Sequence, residues 1–236
     1  MTSFSQHPMT CALLGSLVFI SSPASAGTRP VVVELFTSQG CSSCPPADAL
    51  LGELAVRDNV IALGFHVNYW DGLAWKDPFS NQSSTDRQRA YSRLFHLGEV
   101  YTPQMVVDGA REMVGSDRAN VLDALHDALP EKVAPVTFAA DRRSVTIGAG
   151  DGRGSVFLVR FTKERTTRVI GGENARRTLQ DANAVESLTS LGTWDGSLLR
   201  FAIEPRAAGE GIAALVQAAD GQMLGAAALQ LKNGQP

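Results

Sequence analysis

The stretch VVVELFTSQGCSSCPP, at residues 31–46, decides which fold the sequence predicts. Residues 31–37 are mostly apolar or β-branched, a composition typical of a buried strand. A polar turn at residues 38–40 leads to the cysteines, and Pro45 and Pro46 stand where a first helical turn tolerates proline. The stretch therefore predicts a strand, a turn and a helix that begins at the cysteines. Apolar residues at helical spacing continue this helix: Ala47, Leu50, Leu51, Leu54 and Ala55.

The residues after this helix continue the alternation of strands and helices. The apolar run at 60–67 predicts a second strand, parallel to the first because a helix connects the two. Residues 84–96 have a helical pattern, Asp108-Gly109 is typical of a hairpin turn, and Ser116 can cap a last helix. The element order is therefore β-α-β-α-β-β-α, which predicts an α/β domain over residues 30–130.

Beyond Pro130 and Pro135 the hydrophobic period changes to two, as in half-buried strands. Only residues 175–191 of this half look helical or irregular. Short strands at such spacing predict a β-rich, sandwich-like domain over residues 133–233. The predicted strands are residues 136–140, 144–147, 156–162, 167–170, 198–203, 211–217 and 223–231.

Net charge and composition exclude two classes of protein. The 236 residues carry a formal net charge of only −3, and no basic stripe with interleaved aromatics is present. The sequence therefore predicts no nucleic-acid partner. Hydrophobic residues make up 44% and charged residues 19% of a chain without long low-complexity tracts, which excludes a disordered or fibrous protein.

The first 26 residues predict an export signal. They contain no Lys, Arg, Asp or Glu, and an apolar run at 12–20 precedes small residues that end at Ala26. The run is shorter than the roughly 20 residues that span a bilayer. A signal peptide over residues 1–26 that is cleaved after Ala26 would leave a periplasmic or secreted protein with no stable membrane insertion.

The cysteines favour chemistry over crosslinking. Cleavage would remove Cys11, so Cys41 and Cys44 would be the cysteines of the mature chain. A disulfide between residues three apart closes a very short loop and stabilises little. At a helix start, the macrodipole and free backbone N–H groups would stabilise a thiolate on Cys41. This predicts Cys41 as the nucleophile and Cys44 as the resolving thiol.

Two segments resemble the thioredoxin and glutaredoxin families. Residues 34–44, ELFTSQGCSSC, resemble their strand, turn and Cys-x-x-Cys, and residues 101–104, YTPQ, resemble their cis-proline loop. The resemblance implies a thioredoxin-like fold for the first domain, a cis peptide bond before Pro103, and substrate binding by the backbone of Thr102. The whole chain resembles the secreted bacterial family called domain of unknown function 1223, also through two further segments: Asn68-Tyr69-Trp70-Asp71 and Gly172-Glu173-Asn174.

Three further candidates have two interpretations each. Glu34, one residue before the position of the buried aspartate of thioredoxins, could accept the proton of Cys44, or it could face solvent or form a salt bridge. Trp70 could line the substrate site or fill a local hydrophobic cluster. His66 could hold a metal together with the thiolates, or be a hydrogen-bonded structural residue. Three arginines are interpreted as the solvated face of a helix: Arg87, Arg89 and Arg93.

The sequence therefore predicts an exported thiol-disulfide oxidoreductase that uses the Cys41-Ser42-Ser43-Cys44 dithiol. Its expected partner is a thiol or disulfide of a protein or a small molecule, and no cofactor or metal is expected. Two alternatives stay open. One is a periplasmic copper-binding module, in which the two thiolates hold Cu(I) with or without His66. The other is a non-catalytic binding module whose cysteines form a permanent disulfide.

Overall fold

A computed structural model describes the following parts of the protein: Met1 and residues 29–72, 74–128, 133–205 and 209–229. The predicted signal peptide over residues 1–26, except for Met1, lies outside the described residues and stays a prediction. No helix within the described ranges is long and apolar enough to cross a membrane.

The described residues form eleven strands and three helices. The predicted order β-α-β-α-β-β-α is confirmed for the first seven elements, and the first two strands are parallel, as predicted. The helices are α1 (Pro45–Ala55), α2 (Gln82–Leu94) and α3 (Arg118–Asp127). The strands are β1 (Val31–Thr37), β2 (Val60–His66), β3 (Gln104–Val107), β4 (Arg111–Val114), β5 (Val136–Phe138), β6 (Ser144–Ile147), β7 (Gly154–Arg168), β8 (Thr178–Trp194), β9 (Leu199–Ala202), β10 (Glu210–Gln217) and β11 (Met223–Leu229).

The strands form one large and one small sheet. The large sheet has the order β11-β10-β7-β8-β2-β1-β3-β4, and the small one β5-β6-β9. Strand β1 is parallel to β2 and antiparallel to β3. Strand β8 is antiparallel to β7 along most of its length and meets β2 in parallel, where Ala184 is the partner of Gly64. Strands from both halves of the chain thus hydrogen bond within one sheet.

The prediction of a thioredoxin-like α/β domain followed by a sandwich-like domain is wrong. Within the described residues the protein is mostly β, with an eight-stranded mixed sheet, a three-stranded sheet and only three helices. The sequence pattern misses β8, because residues 175–191 are rich in Ala and polar residues, which have low strand propensity. Pairing with β7 overrides that propensity, and β8 then extends the sheet that begins with β1 and β2.

Strand β1 is buried along its whole length. Val33 and Leu35 pack with apolar residues of α1 on one face of the sheet. Val32 and Phe36 pack on the other face, with Tyr91 of α2. A third cluster, around a buried tryptophan, joins the small sheet to β7 and β10. The end of β1, where the cysteines follow, is therefore held from both faces.

Candidate functional site

Cys41 and Cys44 form a disulfide, with their Cα atoms 5.5 Å apart. They belong to residues 38–44, which we call the dithiol turn. The Cys41 N–H donates to the Ser38 carbonyl at 3.1 Å, and the Cys44 N–H donates to the Cys41 carbonyl at 3.3 Å. Cys44 is the N-cap of α1, which starts with Pro45. The predicted sequence of strand, turn, dithiol and helix is therefore confirmed.

Cys41 lies outside the helix, because α1 starts with Pro45 and its N-cap is Cys44. Both prolines at the start of α1 lack an N–H group, and the next two N–H groups donate to the Cys44 carbonyl. Because the helix dipole falls off within the first turn, it acts less directly on Cys41, which lies three residues earlier. The N–H of Ser42, next to Cys41, donates to the Glu173 carboxylate at 3.0 Å.

A loop from the second half of the chain lies against the dithiol turn. We call residues 169–177, between β7 and β8, the cover loop. From this loop, the Asn174 side-chain amide donates to the carbonyl oxygens of Gln39 at 3.0 Å and Cys41 at 2.8 Å. The exposed fraction of both Cys41 and Cys44 is 0%. The closed arrangement therefore leaves neither cysteine open to a partner molecule, and the cover loop is bonded to the backbone around Cys41.

Two further contacts fix the cover loop. Gly171 lies so close to a neighbouring loop that an added Cβ would be 1.9 Å from the carbonyl oxygen of Ala74. The Arg177 guanidinium donates to Asn174 Oδ1 at 2.9 Å, which orients the amide toward the dithiol turn. The second half of the chain thus supplies part of the site.

Four ionisable side chains form a cluster next to the dithiol turn, which we call the acid-histidine cluster: Asp48, His66, Asp77 and Asp181. His66 Nδ1 lies 2.8 Å from Asp77 Oδ2, and Nε2 lies 3.8 Å from Asp181 Oδ1. Gln39 of the dithiol turn donates to both carboxylates, from its backbone N–H to Asp77 at 2.8 Å and from its side-chain amide to Asp181 at 2.7 Å. These bonds couple the cysteine-bearing turn to the cluster.

Each member of the acid-histidine cluster has a shifted pKa. Burial lowers the pKa of His66, but the charge and hydrogen bond of Asp77, with the charges of the two other carboxylates, raise it to about 9. Burial raises the pKa of Asp48 to about 7, against the charge of His66 and a hydrogen bond from Thr37. Burial also raises the pKa of Asp181. The charge of His66 and its hydrogen bond outweigh burial at Asp77 and hold the pKa of that carboxyl below its usual value.

We expect the free energy of unfolding to fall as the pH rises from about 6.5 to about 9, because folded His66 holds its proton more tightly than unfolded His66. The stabilisation is complete below the unfolded pKa and is lost as the pH rises through the folded pKa. Urea denaturation across this range measures the slope, and His66→Gln should flatten it. His126→Gln, at an exposed histidine, is the control that should keep the slope. If His66→Gln keeps the slope, the pH dependence of stability does not come from His66.

Glu34 lies on the face of the sheet opposite α1. Its carboxylate accepts hydrogen bonds from the Arg87 guanidinium, with Nη2 at 2.9 Å, and from the Tyr91 hydroxyl. These contacts match the salt-bridge interpretation of Glu34, and its role as proton acceptor for Cys44 stays a prediction. The interpretation of Arg87 as part of a solvated face is wrong, because Arg87 is only 7% exposed.

The structure brings Trp70 together with Thr102 and Pro103. The indole N–H of Trp70 donates to the Thr102 hydroxyl at 2.8 Å. The Thr102–Pro103 peptide bond is cis, as the resemblance implies. Gly40 of the dithiol turn is so close to Trp70 that an added Cβ would lie 3.3 Å from the Trp70 Cβ. Trp70 also packs against the main core. Substrate binding by these residues stays a prediction.

His66 contacts a carboxylate with each ring nitrogen, which matches its interpretation as a hydrogen-bonded structural residue. In the part of the chain that the structure describes, no group of three or more His, Cys, Asp or Glu side chains could hold a metal ion.

Sequence reasoning missed several residues of the site. Asp48 carries a signal that could have found it, because it lies four residues after Cys44 in the predicted helix, and residues at that spacing are neighbours on a helix surface. Asp77 and Asp181 carry no such signal, and Asn174 stands out only as part of the Gly172-Glu173-Asn174 segment of the family resemblance, without a role. They lie in a loop, in β8 and in the cover loop, and only the sheet topology brings them to the dithiol turn.

Comparisons with known proteins find a family and two similar solved structures. The sequence profile of a family described as Protein of unknown function (DUF1223) matches residues 32–217. No curated protein matches the chain. A protein from Agrobacterium tumefaciens with a known crystal structure has 31% sequence identity to this chain. The two structures superpose with a TM-score of 0.73, and the match covers 89% of this chain and 98% of that chain. HBP35 of Porphyromonas gingivalis is 14% identical, with a TM-score of 0.58, over 89% of this chain and 77% of that chain, and this likeness concerns the fold alone.

Proposed function

Because the chain belongs to the DUF1223 family, whose function is unknown, its activity has to be inferred from its own site, and we propose that it is a thiol-disulfide oxidoreductase. The proposed reaction is exchange between the Cys41–Cys44 disulfide and a thiol of a protein or a small molecule. The observation that carries the proposal is a disulfide between residues three apart, at the N-cap of a helix and one helical turn before Asp48, whose carboxyl has a pKa of about 7.

The disulfide adds little to the stability of the fold. A crosslink that closes so short a loop contributes only about 2 kcal/mol by chain entropy, whereas one that closes a 100-residue loop contributes about 4.7 kcal/mol. The helix it adjoins is already anchored by buried apolar residues: Ala47, Leu50, Leu51 and Leu54. Reversible chemistry therefore accounts for the cysteine pair better than crosslinking does.

The exchange proceeds in two balanced steps. A partner thiolate attacks Cys41 Sγ, the bond between Cys41 and Cys44 breaks, and its electron pair goes to Cys44 Sγ. A second partner thiolate then attacks the mixed disulfide, which releases an oxidised partner and reduced Cys41. Cys41 is the proposed point of attack because the cover loop binds the backbone next to it, at the Cys41 carbonyl and the Ser42 N–H, and can release it. Movement of that loop therefore uncovers the backbone around Cys41.

We expect Cys44→Ser to accumulate mixed disulfides and Cys41→Ser to form few. The variants test the exchange in the reverse direction, in which the Cys41 thiolate attacks a partner disulfide and Cys44 resolves the complex. In the first variant, Cys41 can attack but Cys44 cannot resolve, so a covalent complex with a partner persists. In the second, the sulfur that attacks the partner disulfide in this direction is absent. Nonreducing electrophoresis followed by mass spectrometry measures the complexes, and release by dithiothreitol confirms that they are disulfides. Absence of complexes with Cys44→Ser, against proteins and against small aromatic disulfides, would contradict the proposal.

One observation favours a second candidate, a binding protein with a permanent disulfide. Both cysteines are 0% exposed, and burial protects a disulfide from exchange. Dithiothreitol under native conditions separates the two candidates. A disulfide that reacts before the protein unfolds supports the oxidoreductase, and one that reacts only on unfolding supports the permanent crosslink. The copper alternative gains no support from His66, whose ring nitrogens face carboxylates.

A further inference from the structure

Asp48 lies next to the resolving cysteine. Its backbone N–H donates to the Cys44 carbonyl at 3.1 Å, one helical turn away. Side chains at this spacing are neighbours on a helix surface, with Cβ atoms about 5–6 Å apart. The Thr37 hydroxyl at the end of β1 donates to Asp48 Oδ1 at 2.7 Å, which fixes the carboxyl group between the helix and the sheet. The carboxyl is therefore held at the N-terminal end of α1, the end at which Cys44 lies.

Asp48 also borders solvent, unlike Cys44. Cys44 is 0% exposed, whereas Asp48 is only half-buried. Asp48 and Asp181 both line a groove of about 770 Å³ between α1 and the β7–β8 hairpin. A proton on Asp48 can therefore exchange with water in this groove while the cover loop is closed.

The charged groups around Asp48 come from every element packed against it. From the acid-histidine cluster, His66 opposes protonation of Asp48, and Asp77 and Asp181 favour it. The other ionisable groups that line the groove are Glu53 of α1 and two residues of β7: Glu164 and Arg165. Glu53 forms an ion pair of its own with Arg118, at 2.6 Å. Burial is the largest influence on Asp48 and brings its pKa to about 7, so the group gives and takes protons near neutral pH.

We propose that Asp48 donates a proton to Cys44 Sγ when the disulfide opens, and accepts that proton when the disulfide closes. The inference rests on the proposed thiol-disulfide exchange and adds the proton donor to it. When a partner thiolate attacks Cys41 Sγ, the electron pair of the broken bond goes to Cys44 Sγ, and the proton of the Asp48 carboxyl follows. The products are a mixed disulfide at Cys41, a neutral thiol at Cys44 and an Asp48 carboxylate.

Glu34, the sequence-based candidate for this role, is placed differently. It lies on the face of the sheet opposite α1, where its carboxylate is bound by Arg87 and Tyr91. Asp48 lies on the same helix as Cys44 and carries no such ion pair within the described residues: its hydrogen-bond partner there is Thr37.

The test is the rate at which dithiothreitol reduces the disulfide of the full chain, corrected for the thiolate fraction of the reagent at each pH. For the unsubstituted protein we expect the corrected rate to fall as the pH rises through about 7, because Asp48 loses the proton it donates. Asp48→Asn should be at least about tenfold slower below that pH, with a flat profile, since a general acid contributes about 100-fold or more. Rates proportional to the dithiothreitol concentration show that exchange, and not loop opening, is being timed.

Glu53→Gln is the matched control, because it removes the same charge from the same helix and the same groove. It should keep the profile of the unsubstituted protein. Thr37→Val removes the hydrogen bond that lowers the pKa of Asp48 while the carboxyl stays, so it should move the break to higher pH. A purely structural role of Asp48 would not produce that shift.

Two results would overturn the inference. If Asp48→Asn reacts at the low-pH rate of the unsubstituted protein at every pH, Asp48 acts through its charge alone and transfers no proton. If its profile equals that of the unsubstituted protein, Asp48 has no part in the reaction. Either result leaves thiol-disulfide exchange standing. If dithiothreitol reduces the unsubstituted protein only when it unfolds, the exchange reaction and the role of Asp48 both fall.

Discussion

Arg87→Met is expected to lower the free energy of unfolding by about 3–5 kcal/mol, as the loss of one partner of a buried ion pair does. The substitution leaves the Glu34 carboxylate, at 0% exposed, without its counter-charge. Arg87 also lies over the ring of Tyr91, with 5.2 Å from the guanidinium carbon to the ring centroid. Chemical denaturation at constant pH measures the change.

Two further variants show whether the buried charge is the cause. Arg89→Met, two residues on in the same helix, removes an exposed charge 3.6 Å from Asp86 and should change stability by no more than about 0.5 kcal/mol. Combining Arg87→Met with Glu34→Leu removes both charges and should recover part of the loss. Equal effects of Arg87→Met and Arg89→Met would contradict the ion-pair assignment.

Asn174→Ala is expected to speed reduction of the Cys41–Cys44 disulfide by about 5- to 150-fold. Asn174 donates two hydrogen bonds to backbone carbonyls of the dithiol turn, at 3.0 and 2.8 Å. Each such bond contributes about 0.5–1.5 kcal/mol net, and about 1.4 kcal/mol corresponds to a factor of ten. Without these bonds the cover loop opens more often, so the reagent reaches the sulfur atoms sooner. The rate with dithiothreitol under native conditions measures the effect.

Ile170→Ser is the matched control for this prediction. Ile170 belongs to the same cover loop but is 80% exposed, so its replacement should leave the rate unchanged. An unchanged rate in Asn174→Ala would mean that the reagent reaches the disulfide without movement of the cover loop. A faster rate in both variants would mean that any change in the loop opens it, and that the two amide bonds have no special part.

The first half of the fold could be predicted because its elements are encoded locally. The apolar run of β1 and the helical spacing in α1 each lie within about ten residues of chain, which is the range that hydrophobic periodicity reports. Strand β8 could not be predicted in this way. Its composition is poor in strand-forming residues, and it becomes a strand because β7 lies alongside it. The prediction of the fold class is wrong for that reason.

The same distinction separates the parts of the site. Cys41 and Cys44 pair across only three positions, and the apolar spacing of the next residues predicts the helix that follows, so both features are local. The contact of Asn174 with Cys41 joins residues 133 positions apart. Arg87 is a polar residue in a polar helix, and its neighbours in the sequence do not indicate that it is buried. Its ion-pair partner Glu34 lies 53 positions earlier.

The distance along the chain between the cysteines and their cover sets the order of folding events. The disulfide joins residues three apart and can form while the chain is still unfolded, whereas the cover depends on a contact across 133 positions. Contacts between distant residues form later, because a longer loop costs more entropy to close. The sulfur pair is therefore open to oxidation and reduction throughout early folding, and it gains its buried surroundings only when the loop docks.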